Sequence, residues 1–453
     1  MRTSQRIVTD TGIGFMLLGA LAILIPCPGA AQAVAYATLY SFQGSPDGVN
    51  PQGALVIGTA GALFGTTVAG GTSQLGTVFV MRPIRGSSEW KDRVLHSFSG
   101  LDGQSPSNLV SSGAGALYGT TSGGGAGGGG GVIYELAPRF PASDSWTERV
   151  LHNFPDRFHD PSNVTPNELL IGPLGTLFTT TQGQSINGLS GGLVIALAPP
   201  ATPEADWTEF QLYSFGEPQG ELPVAGVVFE GGSLFGTTFF GGGGECGCGN
   251  VYELTPPTTP DAAWTETILH TFTIGGPPFD GEDRAAPLTI GPGGVPYGTT
   301  EYGGSGNCAT GIFQIACGTV FQLTPPAEAG GAWSESVLYS FGTASGDGAI
   351  PVAGLVRATS GALYGTTKSG GTSTSACSGN DDTVPGCGTV FELRPPTTPG
   401  GSWTERVLHS FTGENGDGAV PVAALVLSSS GILYGTTSGG GTSGNGTVFA
   451  VVP

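Results

Sequence analysis

The chain reads as an all-β protein, a seven-bladed β-propeller with four antiparallel strands per blade and an N-terminal strand that closes the last blade. Three observations predict this. A Leu-Tyr-Gly-Thr-Thr … Gly-Thr-Val-Phe pattern recurs in seven variants, most plainly at Leu363–Thr367 with Gly388–Phe391 and at Leu433–Thr437 with Gly446–Phe449. Seven phenylalanines, Phe42, Phe98, Phe154, Phe215, Phe272, Phe341 and Phe411, mark the repeat at spacings of 56, 56, 61, 57, 69 and 70 residues. Each full unit holds four short segments rich in Leu, Val, Tyr, Phe, Thr and Trp, and no sustained helical period follows the N-terminal apolar run. Seven units of four strands suit a propeller. The rungs of a parallel β-helix are much shorter, and a string of sandwiches needs ~100 residues per unit.

Residues 1–33 read as a secretory signal peptide. Arg2 and Arg6 make a basic start, Gly12–Ile25 is an uncharged run, and Ala31-Gln32-Ala33 fits a small-x-small cleavage site. The run is short for a membrane span. A lipoprotein-type reading of Leu24-Ile25-Pro26-Cys27 is opposed by Pro26, where a small residue is expected. Residues 34–453 then form one repeat body, with no second apolar run of spanning length.

Within a unit the order is constant. A Trp-Thr-Glu-x-x-Leu-His-Ser-Phe segment, as at Trp403–Phe411, is strand D. An Asp-Gly turn and a proline follow (Asp417, Gly418, Pro421), and Asp-Gly is a strong turn former. Next come a short apolar run, as at Val422–Leu427 (strand A), Leu-Tyr-Gly-Thr-Thr (strand B) and Gly-Thr-Val-Phe (strand C). The connectors Thr255–Pro260 and Arg394–Pro399 must end strands, because their prolines donate no ladder bonds. Alternation along Trp264–Phe272 places Trp264, Ile268, His270 and Phe272 on one face. The first unit lacks a Trp segment and the last stops after strand C at Pro453, so residues 34–42 are expected to complete the last blade beside Thr447–Val452. Closure of that kind removes an exposed edge.

All six tryptophans, Trp90, Trp146, Trp207, Trp264, Trp333 and Trp403, share one repeat position, which argues for packing over cofactor stacking. His96, His152, His270 and His409 exchange with Tyr40, Tyr213 and Tyr339 two residues before the marker phenylalanine. That exchange suits a half-buried ring with a polar tip and not a catalytic base.

The repeat resembles the GloVer tandem-repeat family of exported bacterial proteins, on the Leu-Tyr-Gly-Thr-Thr, Gly-Gly and Gly-Thr-Val-Phe residues quoted above, over nearly all of residues 34–453. Unit three departs from it, with Phe178-Thr179-Thr180-Thr181 and Gly192-Leu193-Val194-Ile195. The resemblance implies export and repeat architecture. It implies no activity and no catalytic residues.

Composition narrows the function. A formal charge of −20 with two lysines (Lys91 and Lys368) disfavours nucleic acid and anionic membrane as partners. The glycine runs Gly123–Gly131 and Gly241–Gly244 lack the lysine of a phosphate loop. No nucleophile elbow, metalloprotease motif or cofactor motif appears, so no catalytic residue, metal site or cofactor is assigned.

Strand alternation puts the D-to-A turns and the B-to-C loops on one face, where binding residues are expected. Asp47, Asp102, Asp347 and Asp417 lie in equivalent turns there, with Asp160 and Asp280 as approximate counterparts. They read either as turn formers or as a sparse carboxylate ring for a hard cation. Phe239, Phe240 and Tyr302 on that face are candidates to stack on sugars or to pack under their own loops.

Six cysteines fall two per loop in three successive B-to-C loops: Cys246 with Cys248, Cys308 with Cys317, Cys377 with Cys387. Export makes local disulfides the expectation, and spacings of 2, 9 and 10 do not match zinc-finger patterns. The expected function is an exported, monomeric, non-catalytic propeller that binds a glycan or a protein partner at or outside the cell surface. The alternatives are an extracellular carbohydrate-active or other hydrolytic enzyme, and a structural surface or matrix component.

Overall fold

The computed structural model describes residues 34–453, apart from 114, 127–128, 140–144, 156–164, 184–190, 203–204, 217–219, 242–246, 260–261, 274–280, 282–285, 309–315, 329, 374–376, 378–383 and 399. The signal-peptide reading, Asp160, Asp280 and Cys246 lie outside the described residues.

Seven antiparallel sheets form the ring. In chain order, and from strand A to strand D, blade 1 is Val56–Ile57, Leu63–Thr67, Thr77–Pro83 and Trp90–Ser97. Blade 2 is Gln104–Ser111, Leu117–Gly123, Val132–Pro138 and Trp146–Asn153. Blade 3 is Leu170–Ile171, preceded by the short Thr165–Pro166, then Leu177–Gln182, Gly192–Ala198 and Thr208–Phe215. Blade 4 is Val228–Glu230, Ser233–Thr238, Asn250–Thr255 and Thr265–Thr271. Blade 5 is Thr289–Gly291, Val295–Thr300, Thr319–Thr324 and Ser334–Ser340. Blade 6 is Val356–Arg357, Leu363–Thr367, Thr389–Arg394 and Thr404–Ser410. Blade 7 is Val426–Leu427, Leu433–Thr437 and Thr447–Val452, and its fourth strand is Ala35–Ser41 from the other end of the chain. That strand pairs in register from Ala35 with Val452 to Ser41 with Thr447, and Phe42 N–H donates to Gly446 O at 3.1 Å. The chain thus closes its own ring as expected.

Strand B explains its own conservation from unit to unit. A Cβ added at Gly65, Gly298, Gly365 or Gly435 would lie 2.5–2.6 Å from the ring of the cross-strand Phe79, Phe321, Phe391 or Phe449. The glycine is therefore fixed by the aromatic residue of strand C. Unit three departs consistently at both positions: Thr179 replaces glycine and pairs with Ile195, which carries no ring.

The two threonines that follow have separate duties. The first reaches the next blade: Thr66 Oγ1 donates to Ser107 O, Thr120 to Asn167 O, Thr180 to Ala225 O, Thr299 to Ala353 O, Thr366 to Ala423 O and Thr436 to Gly53 O, at 2.6–3.3 Å. The second locks strand B to strand C, as in Thr67 with Thr77 and Thr437 with Thr447, both at 2.8 Å.

Aromatic packing also runs from blade to blade. Phe42, Phe98, Phe215, Phe272, Phe341 and Phe411 set their edges against Phe79, Tyr134, Tyr252, Phe321, Phe391 and Phe449 of the following blade, with centroids 4.9–5.3 Å apart. Trp90, Trp146, Trp207 and Trp403 pack on Tyr434, Phe64, Tyr118 and Tyr297 of the preceding blade, at 5.8–6.4 Å. Trp264 and Trp333 sit against the adjoining core clusters. Such edge-to-face pairs add roughly 0.5–1.5 kcal/mol each beyond the area they bury.

Two expectations need correction. Every strand D carries a bulge at its leucine, the residue skipped between Thr38 and Tyr40, Val94 and His96, Val150 and His152, Gln211 and Tyr213, Ile268 and His270, Val337 and Tyr339, and Val407 and His409. The extra residue breaks the period-two face. Leu269 is buried while Ile268 is 39% exposed, so Ile268 does not share the buried face of Phe272. Strand A is also shorter than its apolar run: only Val426 and Leu427 of Val422–Leu427 join a ladder. The residues before them follow a proline that cannot donate, and their carbonyls serve the threonines of the preceding blade.

Replacing Gly435 with Thr should destabilise the ring by roughly 1–3 kcal/mol through overpacking. Adding Phe449→Ile, which recreates the unit-three pair, should recover part of that loss. A double-mutant cycle by chemical denaturation measures the coupling, and simple additivity would contradict the account of the glycine. Deleting residues 34–42 should lower the midpoint of the entire unfolding transition. A deletion variant that unfolds at the wild-type midpoint would contradict closure by that strand.

Candidate functional site

The D-to-A turns and B-to-C loops do meet on one face. Gly48–Val49 pairs with Ala69–Gly70, and the same small ladder recurs at Gly348–Ala349 with Ser369–Gly370 and at Gly418–Ala419 with Gly439–Gly440. Inside this rim the ring axis opens into a cavity of about 960 Å³, contributed by blades 1, 3, 4, 5, 6 and 7. That volume lies at the upper end of the ~300–1,000 Å³ of small-molecule sites.

Two repeat positions build the wall. One is the residue before the strand-A proline, of which Asn50, Leu222 and Val420 line the cavity; these three and their counterparts Ser105 and Ile350 take left-handed φ of 51–61°. This conformation is costly for Ile350 and Val420, which are β-branched. Two backbone bonds hold it. Val420 N–H donates to Cys387 O at 2.9 Å, and Val420 O accepts from Ser438 N–H at 3.0 Å, with Asn50 and Ile350 held in the same way. The other is the residue after Gly-Thr-Thr, which reads Val68, Ser122, Gln182, Phe239, Glu301, Lys368 and Ser438 around the ring. Gln182, Phe239, Glu301, Lys368 and Ser438 line the cavity, together with Asn50, Gln52 and Glu168.

The polar lining is anchored. Asn108 Nδ2 donates to Glu168 Oε1 while Asn108 Oδ1 accepts from Ala54 N–H, a relay that joins blades 1, 2 and 3. Gln182 Nε2 donates to Asn167 Oδ1 at 2.9 Å, and Asn167 Nδ2 donates to Pro223 O at 2.6 Å. Burial pushes the Glu168 carboxyl up to about 7, against the opposing pull of Asn108.

Asp47, Asp102, Asp347 and Asp417 do not line this cavity. Each is a partner of the strand-D ring of its own unit. Tyr40 and Tyr339 donate to Asp47 and Asp347 at 2.9 Å, and His96 and His409 bond to Asp102 and Asp417 at 3.0 and 3.1 Å. Backbone N–H groups of Gln43, Ser99, Thr343 and Thr412 close the same turns. Asp therefore forms the turn and ties it to the outer strand, and the His–Tyr exchange follows because either ring reaches the carboxylate.

A third group completes each blade joint, from the next strand D, four residues before its ring. It is Asp92, Glu148, Glu209, Glu266, Glu335 or Glu405, and at the closing joint Tyr36, which stacks on His409 at 3.5 Å and 2°. Between blades 2 and 3 His152 bonds to Glu209, and between blades 3 and 4 Tyr213 donates to Glu266, each at 2.9 Å.

Burial, reinforced by the charge of Asp47, raises Asp92 to about 7; burial with Asp347 raises Glu405 to about 7. Burial with the charge of Asp102 raises Glu148 to about 7. Burial opposes ionisation of Asp102, but the Ser99 N–H and hydroxyl and the His96 ring outweigh it and hold that carboxyl below its usual range.

Phe239 reaches the cavity, and Phe240, 41% exposed, stands edge-on to it at 4.3 Å. Tyr302 packs with Cys308 against the core cluster of Phe341. Cys308–Cys317 and Cys377–Cys387 are disulfides with Cα–Cα distances of 5.3 Å. Cys248 is disulfide-bonded as well.

Sequence reasoning missed the cavity residues Glu168, Glu301, Lys368, Gln182, Asn50 and Gln52. A signal was present. The position after Gly-Thr-Thr differs in nearly every unit while its neighbours barely change, and Glu168 stands where other units have Ala54, Gly226, Gly354 or Ala424.

The ring of seven sheets around an axial cavity defines a β-propeller. The chain belongs to the Gloeobacter/Verrucomicrobia repeat family, whose pattern matches residues 29–191, 86–313, 142–376 and 310–453. No curated protein matches it by sequence. Among solved structures it is similar to a gluconolactonase from Xanthomonas campestris (12% identity, 92% of this chain and 89% of that one, TM-score 0.40). It is also similar to a Trypanosoma rangeli sialidase (10% identity, 93% and 60%, TM-score 0.39) and to an α-L-arabinofuranosidase from Lactobacillus brevis (13% identity, 61% and 91%, TM-score 0.35). Among the described residues no helix is long and apolar enough to cross a membrane.

The raised carboxyls predict the pH dependence of stability. Asp92 and Glu405 have folded values near 7 against about 4 when unfolded. Their contribution is full below the unfolded value and is lost as pH rises through the folded one. The melting temperature should therefore fall from about pH 5 to about pH 8. The Asp92→Asn/Glu405→Gln variant should flatten that slope in differential scanning fluorimetry, and an unchanged slope would contradict the assignment.

Proposed function

We propose that this protein is an exported, non-catalytic propeller that binds a polyhydroxylated ligand, a glycan, in its axial cavity. One observation carries the reading: the amides Asn50, Gln52 and Gln182, the carboxylates Glu168 and Glu301 and the ring of Phe239 converge on one cavity. Amides and carboxylates pair with vicinal hydroxyls, and an aromatic ring covers the apolar face of a sugar. Val224, Val352 and Val422 add to the apolar wall. The two described loop disulfides and the basic-then-apolar N-terminus support export to an oxidising compartment.

A hydrolytic reading draws on the carboxyl of Glu168, whose value of about 7 is in the range of a general acid. The two readings separate in one series. A glycan array on residues 34–453 identifies ligands, and calorimetry then measures Phe239→Ala and Glu168→Gln. Loss of the ring should weaken binding about tenfold. Glu168→Gln should retain most of the affinity, and no glycoside or lactone should be turned over by either protein. Absence of any array signal, or unchanged affinity in Phe239→Ala, would overturn the proposal. Turnover by the wild type that Glu168→Gln abolishes would replace it with the hydrolase.

A further inference from the structure

The joint between blades 1 and 2 differs in chemistry from the other joints whose three groups are all described. Tyr40 with Asp47 and Asp92, and Tyr339 with Asp347 and Glu405, present a phenol and two carboxylates. His409 with Asp417 and Tyr36 presents an imidazole, one carboxylate and a phenol. Among the described residues only His96 with Asp102 and Glu148 combines an imidazole with two carboxylates, and one ligand atom from each lies within 4.8 Å of the others.

We propose that His96, Asp102 and Glu148 form a site for a divalent transition metal of the zinc type, which pins blade 2 to blade 1. One nitrogen and two carboxylate oxygens are three ligands of a tetrahedral site, and water supplies the fourth. His96 Nε2 and Asp102 Oδ2 stand at a hydrogen-bond distance of 3.0 Å, and a small outward shift to the ~3.3–3.6 Å edge of a zinc tetrahedron lets a metal ion take the place of the shared proton. Two carboxylates and a neutral imidazole balance the ion's two positive charges.

A second observation bears on the site. Glu148 Oε1 is buried and makes no hydrogen bond, as with the equivalent oxygens of Asp92, Glu266 and Glu405, and at this joint it lies beside an imidazole and a second carboxylate. A buried carboxylate oxygen with no donor is costly unless something positive meets it. The Asp102 side of the site is fixed by the Ser99 N–H at 2.7 Å and the Ser99 hydroxyl at 2.9 Å, which orient the carboxylate behind the ligand position. The rival occupant is a proton on Glu148, which would leave no metal affinity.

The repeat itself supplies the control. His96→Tyr converts this joint into the form found at Tyr40 and Tyr339, where the phenol keeps the bond to the turn aspartate at 2.9 Å. The fold should survive while one ligand is lost. Glu148→Gln is the second variant and keeps the side chain's volume.

Tag-free, non-reduced protein is stripped with chelator and titrated with Co²⁺, read by its visible d–d absorption and by calorimetry. Melting is followed with and without Zn²⁺. The wild type should bind Co²⁺ with tetrahedral bands and melt at a higher temperature with Zn²⁺. His96→Tyr and Glu148→Gln should each lose one equivalent of Co²⁺ relative to the wild type. No Co²⁺ binding by the wild type would overturn the proposal, as would equal stoichiometry in a folded variant. A shift in wild-type melting with pH but not with Zn²⁺ would assign the joint to the proton.

Discussion

The ring depends on how strand B meets its neighbours. Its glycine accepts the strand-C ring against the backbone, at a distance that no side chain tolerates. Its first threonine then bonds to the carbonyl of the next blade, and its second bonds to the threonine that begins strand C. Hydroxyls buried this completely must be paired. Each pairing here fixes a relation between two strands or two blades. Three consecutive small residues therefore set sheet spacing, blade spacing and the closure of the circle.

Outside that inner band the blades are joined by aromatic edges and by charge. The marker phenylalanines pack forward and the tryptophans pack backward, so each blade is gripped on two levels. The outer level is less apolar. Between blades 1 and 2 a half-buried ring, a turn aspartate and a carboxylate from the next strand D converge beside the leucine bulge. Burial, reinforced by the charge of the neighbouring turn aspartate, raises the carboxyls of Asp92 and Glu405 to about 7.

Strict repetition leaves few places for individuality. The position after Gly-Thr-Thr is one, because it stands at the inner end of strand B and in five blades lines the axial cavity. Its backbone is held, but its side chain faces the cavity, so Gln182, Phe239, Glu301, Lys368 and Ser438 differ freely from blade to blade. The residue before the strand-A proline is another, held in a left-handed conformation by two backbone bonds. A wall fixed in this way presents its side chains with little freedom to rearrange, which lowers the entropic cost of binding a ligand.

Much of the architecture was legible in the chain. The spacing of Phe42 to Phe411 set the number of blades, the prolines set the ends of strands, and the half-unit at residues 34–42 announced the closing strand, because each of these is a local or periodic property. The aspartates were legible as turn formers and the histidines as half-buried rings. Their pairing with each other, six to eight residues apart, was not, since it depends on a bulge that period-two reading does not reveal, and the acid of the next unit stands more than fifty positions away. The cavity was hidden for the same reason. Glu168 and Glu301 are ordinary acids in sequence, and only closure of the ring brings residues of six blades to one axis, where exclusion of water raises the carboxyl of Glu168.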